Sequence, residues 1–317
     1  MTNQTLRRWI TAAIVTASNW PLVTAFAEVK PDQVDKIKAA LPAEPFAKPE
    51  KARKLLVYSR TRGFRHGSIP VGQKMAELLG EKTGAYAATI TEDPAFFEPE
   101  KLKEFDAVLM LNTTGPCFSE DPKQWDGNPA KEELIKADAA RAERLVKSLR
   151  AFVEQGGGLA GFHSATDTLG EDARYFTLIG GTFNAHPWNA GDTVTVKVRD
   201  ADHPLTEPFK AGGPTFDIKD EIYQLKNYDA ASQHNLLGLY LGEGSKTDMT
   251  KNGIVRTDGD FAISWVKNIG KGRVFYCSLG HNDEVYWNPT VVKYYLGGLQ
   301  FALGDFDVPV KNGSTKP

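Results

Sequence analysis

The stretch from Gly156 to Ala165, Gly-Gly-Gly-Leu-Ala-Gly-Phe-His-Ser-Ala, most constrains what this chain can fold into. The glycines end an amphipathic helical pattern, and the apolar residues after them predict a short buried strand. A Gly-x-His-x-Ala turn follows that strand. In enzymes with a strand–nucleophile–helix elbow, the central residue of such a turn is the nucleophile, often Ser or Cys. His163 takes that position here, so the turn predicts the geometry of a nucleophile enzyme without its usual nucleophile.

Strand and helix patterns alternate on both sides of this turn. Continuous apolar runs at 54–59 and 106–111 predict strands that are buried on both faces. Apolar residues at helical spacing predict helices over 68–83 and 131–155. This order predicts a mostly parallel sheet flanked by helices, and further strand patterns between about 190 and 280 add a β-rich elaboration in the C-terminal half. We therefore expect one α/β domain.

The N-terminal region has the pattern of an export signal. Residues 1–27 contain the pair Arg7-Arg8, then an uncharged apolar run, then a small-x-small site at Ala25-Phe26-Ala27. Cleavage at this site is favoured over a retained membrane anchor. Cleavage would give a periplasmic or secreted protein with no membrane span. The order expected is a signal peptide (1–27), a solvated leader or linker (28–52), the domain (53–306) and a loose tail (307–317).

Composition excludes some classes of partner. The formal net charge is −2 and no basic stripe is present, which argues against nucleic-acid binding. No nucleotide cofactor is indicated, and the oligomeric state is left open, with a homo-oligomer as one option. The two cysteines, Cys117 and Cys277, fit a disulfide in an exported protein and two free thiols equally well.

Histidines supply the strongest candidates for chemistry. Ligands of open α/β sheets lie beyond the carboxyl ends of the strands. His66 and His281 each follow a predicted strand, as His163 does, so these three side chains are expected to meet at one rim. His186 lies in a predicted loop at 182–188, near the same rim. A lone loop histidine is otherwise a solvated or capping residue, which is the reading favoured for the remaining pair, His203 and His234.

Two chemistries suit this cluster. Neutral imidazoles of His66, His163 and His281 with the carboxylate of Glu221 can hold a divalent metal that keeps an open position for substrate. Alternatively, histidine acts as a general acid or base, since its pKa lies near neutral pH. Further residues fit either a substrate-binding role or a cap or core role, and these are Ser164, Asp167, His186, Trp188, Tyr223 and Trp287.

Four motifs in order resemble one known family. They are Phe64-Arg65-His66-Gly67-Ser68-Ile69, the segment Gly156 to Asp167, Asp220-Glu221-Ile222-Tyr223, and the segment Gly272 to His281. Together they resemble the trehalose-utilisation (ThuA-like) family over about residues 53–304. The resemblance implies a flavodoxin-like, class I glutamine amidotransferase-like fold. Amidotransferases carry Cys at the elbow and a His-x-Glu pair after a late strand, whereas this chain has His163 and places Glu284 one residue late after His281.

The resemblance implies carbohydrate metabolism in place of glutamine hydrolysis. We expect an exported enzyme that acts on a disaccharide, a glycoside or a 3-keto-sugar derivative. His163, His66 and His281 would form the reactive centre, with Glu221 as acid/base or metal ligand and Tyr223 orienting the substrate. The alternative is a non-catalytic sugar-binding or envelope protein on a retired enzyme fold. The distance between the three imidazoles separates the two hypotheses.

Overall fold

The computed structural model describes residues 28–170 and 172–310. The expected signal peptide at 1–27 and the end of the expected tail lie outside these residues. Within them the helices are α1 (Pro31–Ala40), α2 (Ile69–Thr83), α3 (Pro99–Leu102), α4 (Lys131–Glu154), α5 (Ala173–Ile179) and α6 (Pro289–Leu303). The strands are β1 (Lys54–Tyr58), β2 (Ala87–Thr91), β3 (Ala107–Leu111), β4 (Gly158–Phe162), β5 (Thr182–Trp188), β6 (Thr193–Val198), β7 (Thr215–Lys219), β8 (Ile222–Lys226), β9 (His234–Leu239), β10 (Ala262–Ile269) and β11 (Gly272–Cys277).

The main sheet has nine strands in the order β2-β1-β3-β4-β11-β10-β9-β6-β7. The first five strands of this order are parallel, and the other four extend the same sheet with antiparallel pairs. The parallel part has the flavodoxin-like order 2-1-3-4-5, with β11 in the fifth place. The predicted fold class is therefore confirmed, including the β-rich elaboration, which continues the main sheet.

Alternating side chains of the central strands pack on opposite faces. Leu55 and Val57 of β1 belong to one apolar cluster with residues of α2 and α6, whereas Leu56 and Tyr58 belong to a second cluster with residues of α4 and α5. Because both faces of these strands are covered, both sets of positions must be apolar. This packing explains the continuous apolar runs in the sequence.

A smaller sheet covers the carboxyl ends of the parallel strands. It consists of β5 and β8, which pair antiparallel with two register shifts. Residues 182–188 were expected to be a loop, and that expectation is wrong. The sequence Thr-Phe-Asn-Ala-His-Pro-Trp contains a proline and lacks strict alternation, so its pairing depends on the neighbouring strand.

Glycine at position 158 fixes the start of β4. A Cβ atom there would lie 2.0 Å from the backbone oxygen of Ala302 in α6, so only glycine lets the strand and helix approach this closely. The strand that follows is fully buried and leads directly into His163. The triple-glycine segment therefore sets the position of the elbow.

The segment expected to be a solvated leader packs on the domain. Ile37 of α1 is fully buried, and Gln33 Nε2 donates a hydrogen bond of 2.9 Å to Asp283 Oδ2. Further along, the N–H groups of Phe46 and Ala47 donate to Gln300 Oε1 at 2.6 and 3.1 Å. This segment is thus attached to the folded domain by buried apolar residues of α1 and by hydrogen bonds.

The C-terminal segment is also attached as far as it is described. Arg273 forms an ion pair of 2.7 Å with Asp307, and the carbonyl of Pro309 accepts a 3.0 Å hydrogen bond from His203 Nε2. Both Cys117 and Cys277 are buried and free, so the disulfide alternative is not observed. Across residues 28–170 and 172–310, no helix has both the length and the apolar character that a membrane crossing needs.

Candidate active site

Three strand-end loops and the short connection from the main sheet to the small sheet converge at one place. His66 follows β1, His163 follows β4 and His281 follows β11, while Glu221 lies in the turn between β7 and β8. One donor atom from each of these four side chains lies within 4.8 Å of the other three. The prediction that the imidazoles of His66, His163 and His281 share one place is confirmed.

The elbow residue His163 is fixed in a strained conformation. Its φ angle is +47°, in the left-handed region that non-glycine residues rarely adopt, and its side chain is fully buried. The Nδ1 atom lies 2.8 Å from the carbonyl oxygen of Ser278, and the Tyr276 hydroxyl donates to the His163 carbonyl at 2.7 Å. Because a carbonyl only accepts, Nδ1 carries a proton and the neutral ring keeps its lone pair on Nε2. That lone pair faces the cluster.

The spacing of the donor atoms matches a metal centre. His163 Nε2 lies 3.2 Å from His66 Nε2 and 3.4 Å from Glu221 Oε2. The same Glu221 oxygen lies 3.2 Å from His281 Nδ1. Ligands held at about 2.1 Å from one tetrahedral ion stand roughly 3.4 Å from each other. Three imidazoles and a carboxylate are also a donor set that suits zinc and related divalent ions.

Burial and neighbouring charges favour a neutral His66 and an ionised Glu221. Burial alone would lower the pKa of His281, but the Glu221 carboxylate outweighs this and raises it, so a metal would bind there by displacing a proton. Burial, together with the nearby His163 and His281, lowers the pKa of His66 to about 3, so its imidazole is neutral. Burial raises the pKa of Glu221, but contacts with His163 and His281 outweigh this and hold its pKa well below the usual range. A neutral imidazole beside an ionised carboxylate is the state in which both groups coordinate a metal.

One ring nitrogen in the cluster has no hydrogen-bond partner. His281 Nδ1 is buried and near Glu221 Oε2, but the two atoms are not aligned for a hydrogen bond. Buried polar atoms without a partner are rare in folded proteins because each one costs about 1–3 kcal/mol. An ion between the four donors satisfies this nitrogen, so the residues present fit a divalent metal.

A buried carboxylate holds the loop that carries His281. Asp220 Oδ2 accepts from the N–H of Gly280 at 2.7 Å, and its Oδ1 accepts from the N–H of Asn282 at 2.9 Å. The carbonyl of Gly280 accepts in turn from the side chains of Ser68, Asn112 and Tyr286. The backbone on both sides of His281 is therefore fixed. Sequence reasoning missed this role of Asp220, and its only signal was the position next to Glu221.

A cavity of about 330 Å³ opens over the cluster. Its walls comprise Phe64, His66, Asp167, Phe183, His186, Glu221, Tyr223 and His281. Asp167, His186 and Tyr223 were thus correctly expected near the site, whereas Phe64 and Phe183 were missed. Phe64 stands two residues before His66 in the same motif, which was the available signal. His163 is not part of the cavity lining, but its Nε2 atom lies in the cluster with His66, Glu221 and His281.

Three further wall residues have defined surroundings. Burial raises the pKa of Asp167 to about 6, and no described side chain donates a hydrogen bond to its carboxyl group. His186 Nδ1 lies 3.2 Å from Glu221 Oε1 and 3.1 Å from Asn189 Oδ1. The Tyr223 hydroxyl lies 3.3 Å from His163 Nε2, and burial raises the pKa of this phenol far above its usual value. The cavity therefore offers a carboxyl group, a neutral phenol and an imidazole to a ligand.

Other predicted binding residues lie elsewhere. Ser164 Oγ is buried 3.4 Å from His66 Nδ1, behind the histidine and away from the cavity walls. Trp188 is fully buried against Phe261, so the expectation that it contacts substrate is wrong. Trp287 also lies off the cavity walls, where Lys36 of α1 stands 5.2 Å from its ring centre. Trp188 belongs to the buried core, and Trp287 packs against that core as a partly buried side chain.

The remaining histidines and clefts are separate from this site. His234 Nε2 lies 2.8 Å from Asp200 Oδ2, and the rings of His203 and His234 stand 4.9 Å apart. Their interpretation as structural residues agrees with these contacts. Larger surface clefts of about 700 and 750 Å³ occur beside residues 42–46 and at the β6–β7 edge. No histidine lines either of them, so the smaller cavity carries the chemistry.

Comparisons with known proteins agree with this fold. No curated protein matches the chain. A ThuA-like protein from Bacteroides uniformis is 24% identical over 80% of this chain and 93% of its own, with a TM-score of 0.54. A ThuA-like protein from Parabacteroides merdae is 13% identical over 84% of this chain and 93% of its own, with a TM-score of 0.51. Residues 54–302 match the family described as ThuA, trehalose utilisation. The chain belongs to the ThuA family, and its role is related to carbohydrate use.

Proposed function

We propose that this protein is a metal-dependent enzyme that acts on a small carbohydrate, namely a disaccharide, a glycoside or a 3-keto-sugar derivative. The observation that carries the proposal is the cluster of His66, His163, His281 and Glu221 under a cavity of carbohydrate-sized dimensions. Ligand cavities measure roughly 300–1,000 Å³, so about 330 Å³ is enough for one sugar ring. The family link to trehalose utilisation supports the substrate class.

The four side chains would hold one divalent ion. A bound ion of this kind is a Lewis acid, which polarises a carbonyl or hydroxyl oxygen of the substrate. Glu221 keeps one oxygen toward the cluster and the other toward His186. His163 contributes its Nε2 lone pair while Ser278 holds its Nδ1 proton. Such fixed second partners orient metal-binding histidines and keep their tautomers constant.

Asp167 is the group best placed to transfer a proton. Its carboxyl lines the cavity, and burial brings its pKa to about 6, so it exchanges a proton near neutral pH. We assign Asp167 the role of proton carrier: its carboxylate would take a proton from the reacting carbon or oxygen of the substrate, or its carboxyl would return one. Tyr223 and His186 would bind sugar hydroxyls, because both present polar atoms on the cavity walls. This assignment fits hydrolysis, elimination and isomerisation of a sugar derivative.

The place of action follows from the N-terminal pattern. Residues 1–27 carry a basic start, an apolar run and a small-x-small site, which support export and cleavage near Glu28. We therefore place the mature protein in the periplasm or outside the cell. N-terminal sequencing of protein recovered from the periplasmic fraction tests this placement, and an intact Met1 in that fraction contradicts cleavage.

Metal analysis and a substrate screen test the proposed activity. Purified protein should contain roughly one divalent ion per chain and should consume 3-keto-disaccharides or their glycosides. His163→Ala should release the ion and lower turnover by more than about 100-fold. His234→Asn is the matched control, because this buried histidine lies outside the cavity.

Three outcomes separate the hypotheses. Loss of metal and turnover in His163→Ala, with both retained in His234→Asn, supports the enzyme. Unchanged turnover in His163→Ala overturns it. Binding of sugar without turnover of any keto-sugar or glycoside, in metal-loaded wild type, supports the non-catalytic sugar-binding alternative.

A further inference from the structure

Phe64 is an exposed aromatic ring at the mouth of the cavity. Its relative exposure is 64%, and it lines the cavity beside His66 and His281. Other exposed large apolar side chains, such as Val255 at 63%, lie outside the cavity walls. An exposed phenylalanine forgoes the stabilisation that burial of its ring provides. Its place at the mouth therefore requires an explanation that folding does not supply.

The backbone around Phe64 is fixed. The N–H of Arg62 donates to the Thr114 carbonyl at 2.9 Å, and the N–H of Gly63 donates to the Thr114 hydroxyl oxygen at 3.2 Å. The Thr114 hydroxyl itself donates to the carbonyl of Phe64 at 2.8 Å. Gly115 packs so closely that a Cβ atom on it would lie 2.9 Å from the Gly63 nitrogen. The exposure of Phe64 is thus imposed by a built loop.

The ring orientation matches a stacking surface. The plane of Phe64 lies within 15° of the His281 ring, with centroids 6.5 Å apart, and the Phe64 and His66 rings meet edge to face with centroids 4.8 Å apart. Phe183 is another aromatic ring in the cavity walls and packs on Tyr223 at 4.5 Å. Phe64 keeps 64% of its surface exposed, so it still offers ring surface to a group that extends out of the cavity. The C–H groups on one face of a pyranose ring form an apolar surface that packs well on such a ring.

The cavity volume decides what reaches this surface. A volume of about 330 Å³ is near the lower end of the range for ligand sites, so it accommodates one ring over the metal cluster. A second ring joined to the first must lie at the mouth. We propose that Phe64 is a stacking platform for the second pyranose ring of a disaccharide-type substrate, the ring that leaves or stays outside during the reaction. This inference rests on the proposed function and names the subsite that gives preference for two linked rings.

The experiment compares one-ring and two-ring ligands in the metal-loaded, full-length protein. The substrates are 3-keto-trehalose and methyl 3-keto-glucoside, which has one ring and keeps a glycosidic bond, and the binding probes are trehalose and methyl glucoside. Phe64→Ala should reduce the preference for the two-ring ligand, as a ratio of kcat/KM values and of Kd values, by roughly tenfold, the size of one lost ring-stacking contact. Phe64→Trp should keep the preference, because it restores an aromatic face.

Val255→Ala is the matched control, since it shortens a side chain of nearly equal exposure outside the cavity. It should leave both ratios at the wild-type values. Thermal unfolding and bound metal should be unchanged in Phe64→Ala, because the ring is exposed and its backbone contacts remain. If that variant loses the fold, Phe64→Leu replaces it, because leucine keeps an apolar side chain of similar size and removes the aromatic face.

Several results overturn the platform. An unchanged ratio in Phe64→Ala does so, and so does an equal loss for one-ring and two-ring ligands, which would place Phe64 in the first subsite. Aryl 3-keto-glucosides serve as a further substrate. If Phe64→Ala lowers kcat/KM for these but not for 3-keto-trehalose, the ring that stacks on Phe64 is an aromatic group and not a pyranose. Failure of the proposed function looks different, because His163→Ala would then retain wild-type turnover whatever Phe64 does.

Discussion

Replacement of Asp220 by Asn tests whether the His281 loop is held in place by its carboxylate. Asp220 is fully buried and accepts two backbone hydrogen bonds, from Gly280 and Asn282. An amide has one accepting oxygen, so in Asp220→Asn one of these two N–H groups faces the NH₂ donor. No water replaces the lost partner at a fully buried position.

The magnitude follows from these contacts. A hydrogen bond to a charged group contributes about 1.5–3 kcal/mol, and a buried donor without a partner costs about 1–3 kcal/mol. Burial of the charge opposes this, since burial raises the pKa of Asp220 and its removal relieves that penalty. We therefore expect a net loss of about 2 kcal/mol in the free energy of unfolding. At roughly 2 °C per kcal/mol for a domain of this size, Tm should fall by about 4 °C.

The effect on the metal centre should be of about the same size as the effect on stability. His281 lies between the two residues whose N–H groups Asp220 holds, so its ring loses its fixed position in Asp220→Asn. Loss of an orienting partner typically lowers metal affinity by about 10–100-fold. Urea unfolding of metal-free protein measures the first effect, and Co²⁺ titration followed by its visible absorption measures the second.

A neighbouring variant provides the control for this experiment. Asp217→Asn changes a partly exposed carboxylate in β7 that pairs with Lys246, and it should alter stability by about 0.5 kcal/mol or less. Metal affinity should stay at the wild-type value. A destabilised Asp220→Asn that binds Co²⁺ as tightly as wild type would refute the positioning role, because the loop would then hold His281 without its carboxylate.

Two further predictions concern packing and pH. Gly158→Ala should destabilise the fold by about 3 kcal/mol in urea unfolding, because the new Cβ would meet the Ala302 backbone oxygen. The control is Gly191→Ala, which has nothing within 4 Å and should change stability by less than about 0.5 kcal/mol. Equal effects in the two variants would contradict the packing argument. Burial lowers the pKa of Lys267 to about 8, so the folded state binds fewer protons than the unfolded state between pH 8 and about 10.4, and stability rises with pH there. Relative to Lys267→Met, wild type should gain about 2 kcal/mol between pH 7 and 9.5 in urea unfolding, and a flat difference would show that Lys267 titrates normally.

The parallel half of the fold could be predicted from local patterns. β3 is apolar at every position, and β1 is buried from Leu55 onward, because helices cover both faces of these strands. Parallel strands share one carboxyl edge, so the loops after β1, β4 and β11 had to meet there once the topology was inferred. For this reason the meeting of His66, His163 and His281 could be predicted from the inferred parallel topology, although the order of the strands in the sheet could not be read from the sequence.

The part of the site that the small sheet contributes, strand β5, could not be predicted in the same way. His186 and Trp188 stand two residues apart and would share one face of a regular strand. A register shift between Ala185 and Trp188 in the β5–β8 pairing breaks that alternation, so His186 lines the cavity while Trp188 is fully buried. Pairing irregularities depend on the partner strand, and no periodicity in residues 182–188 indicates them.

The sequence by itself determined which segments form the buried strands, the elbow at His163 and the loops that carry the histidines. These features depend on local apolar patterns and on chain connectivity. Only the tertiary structure decided that Asp220 holds the His281 loop, that Phe64 stands exposed at the mouth and that α1 packs on the domain. These features arise from contacts between segments far apart in the chain. Their energies depend on distance and alignment, which residue spacing does not encode.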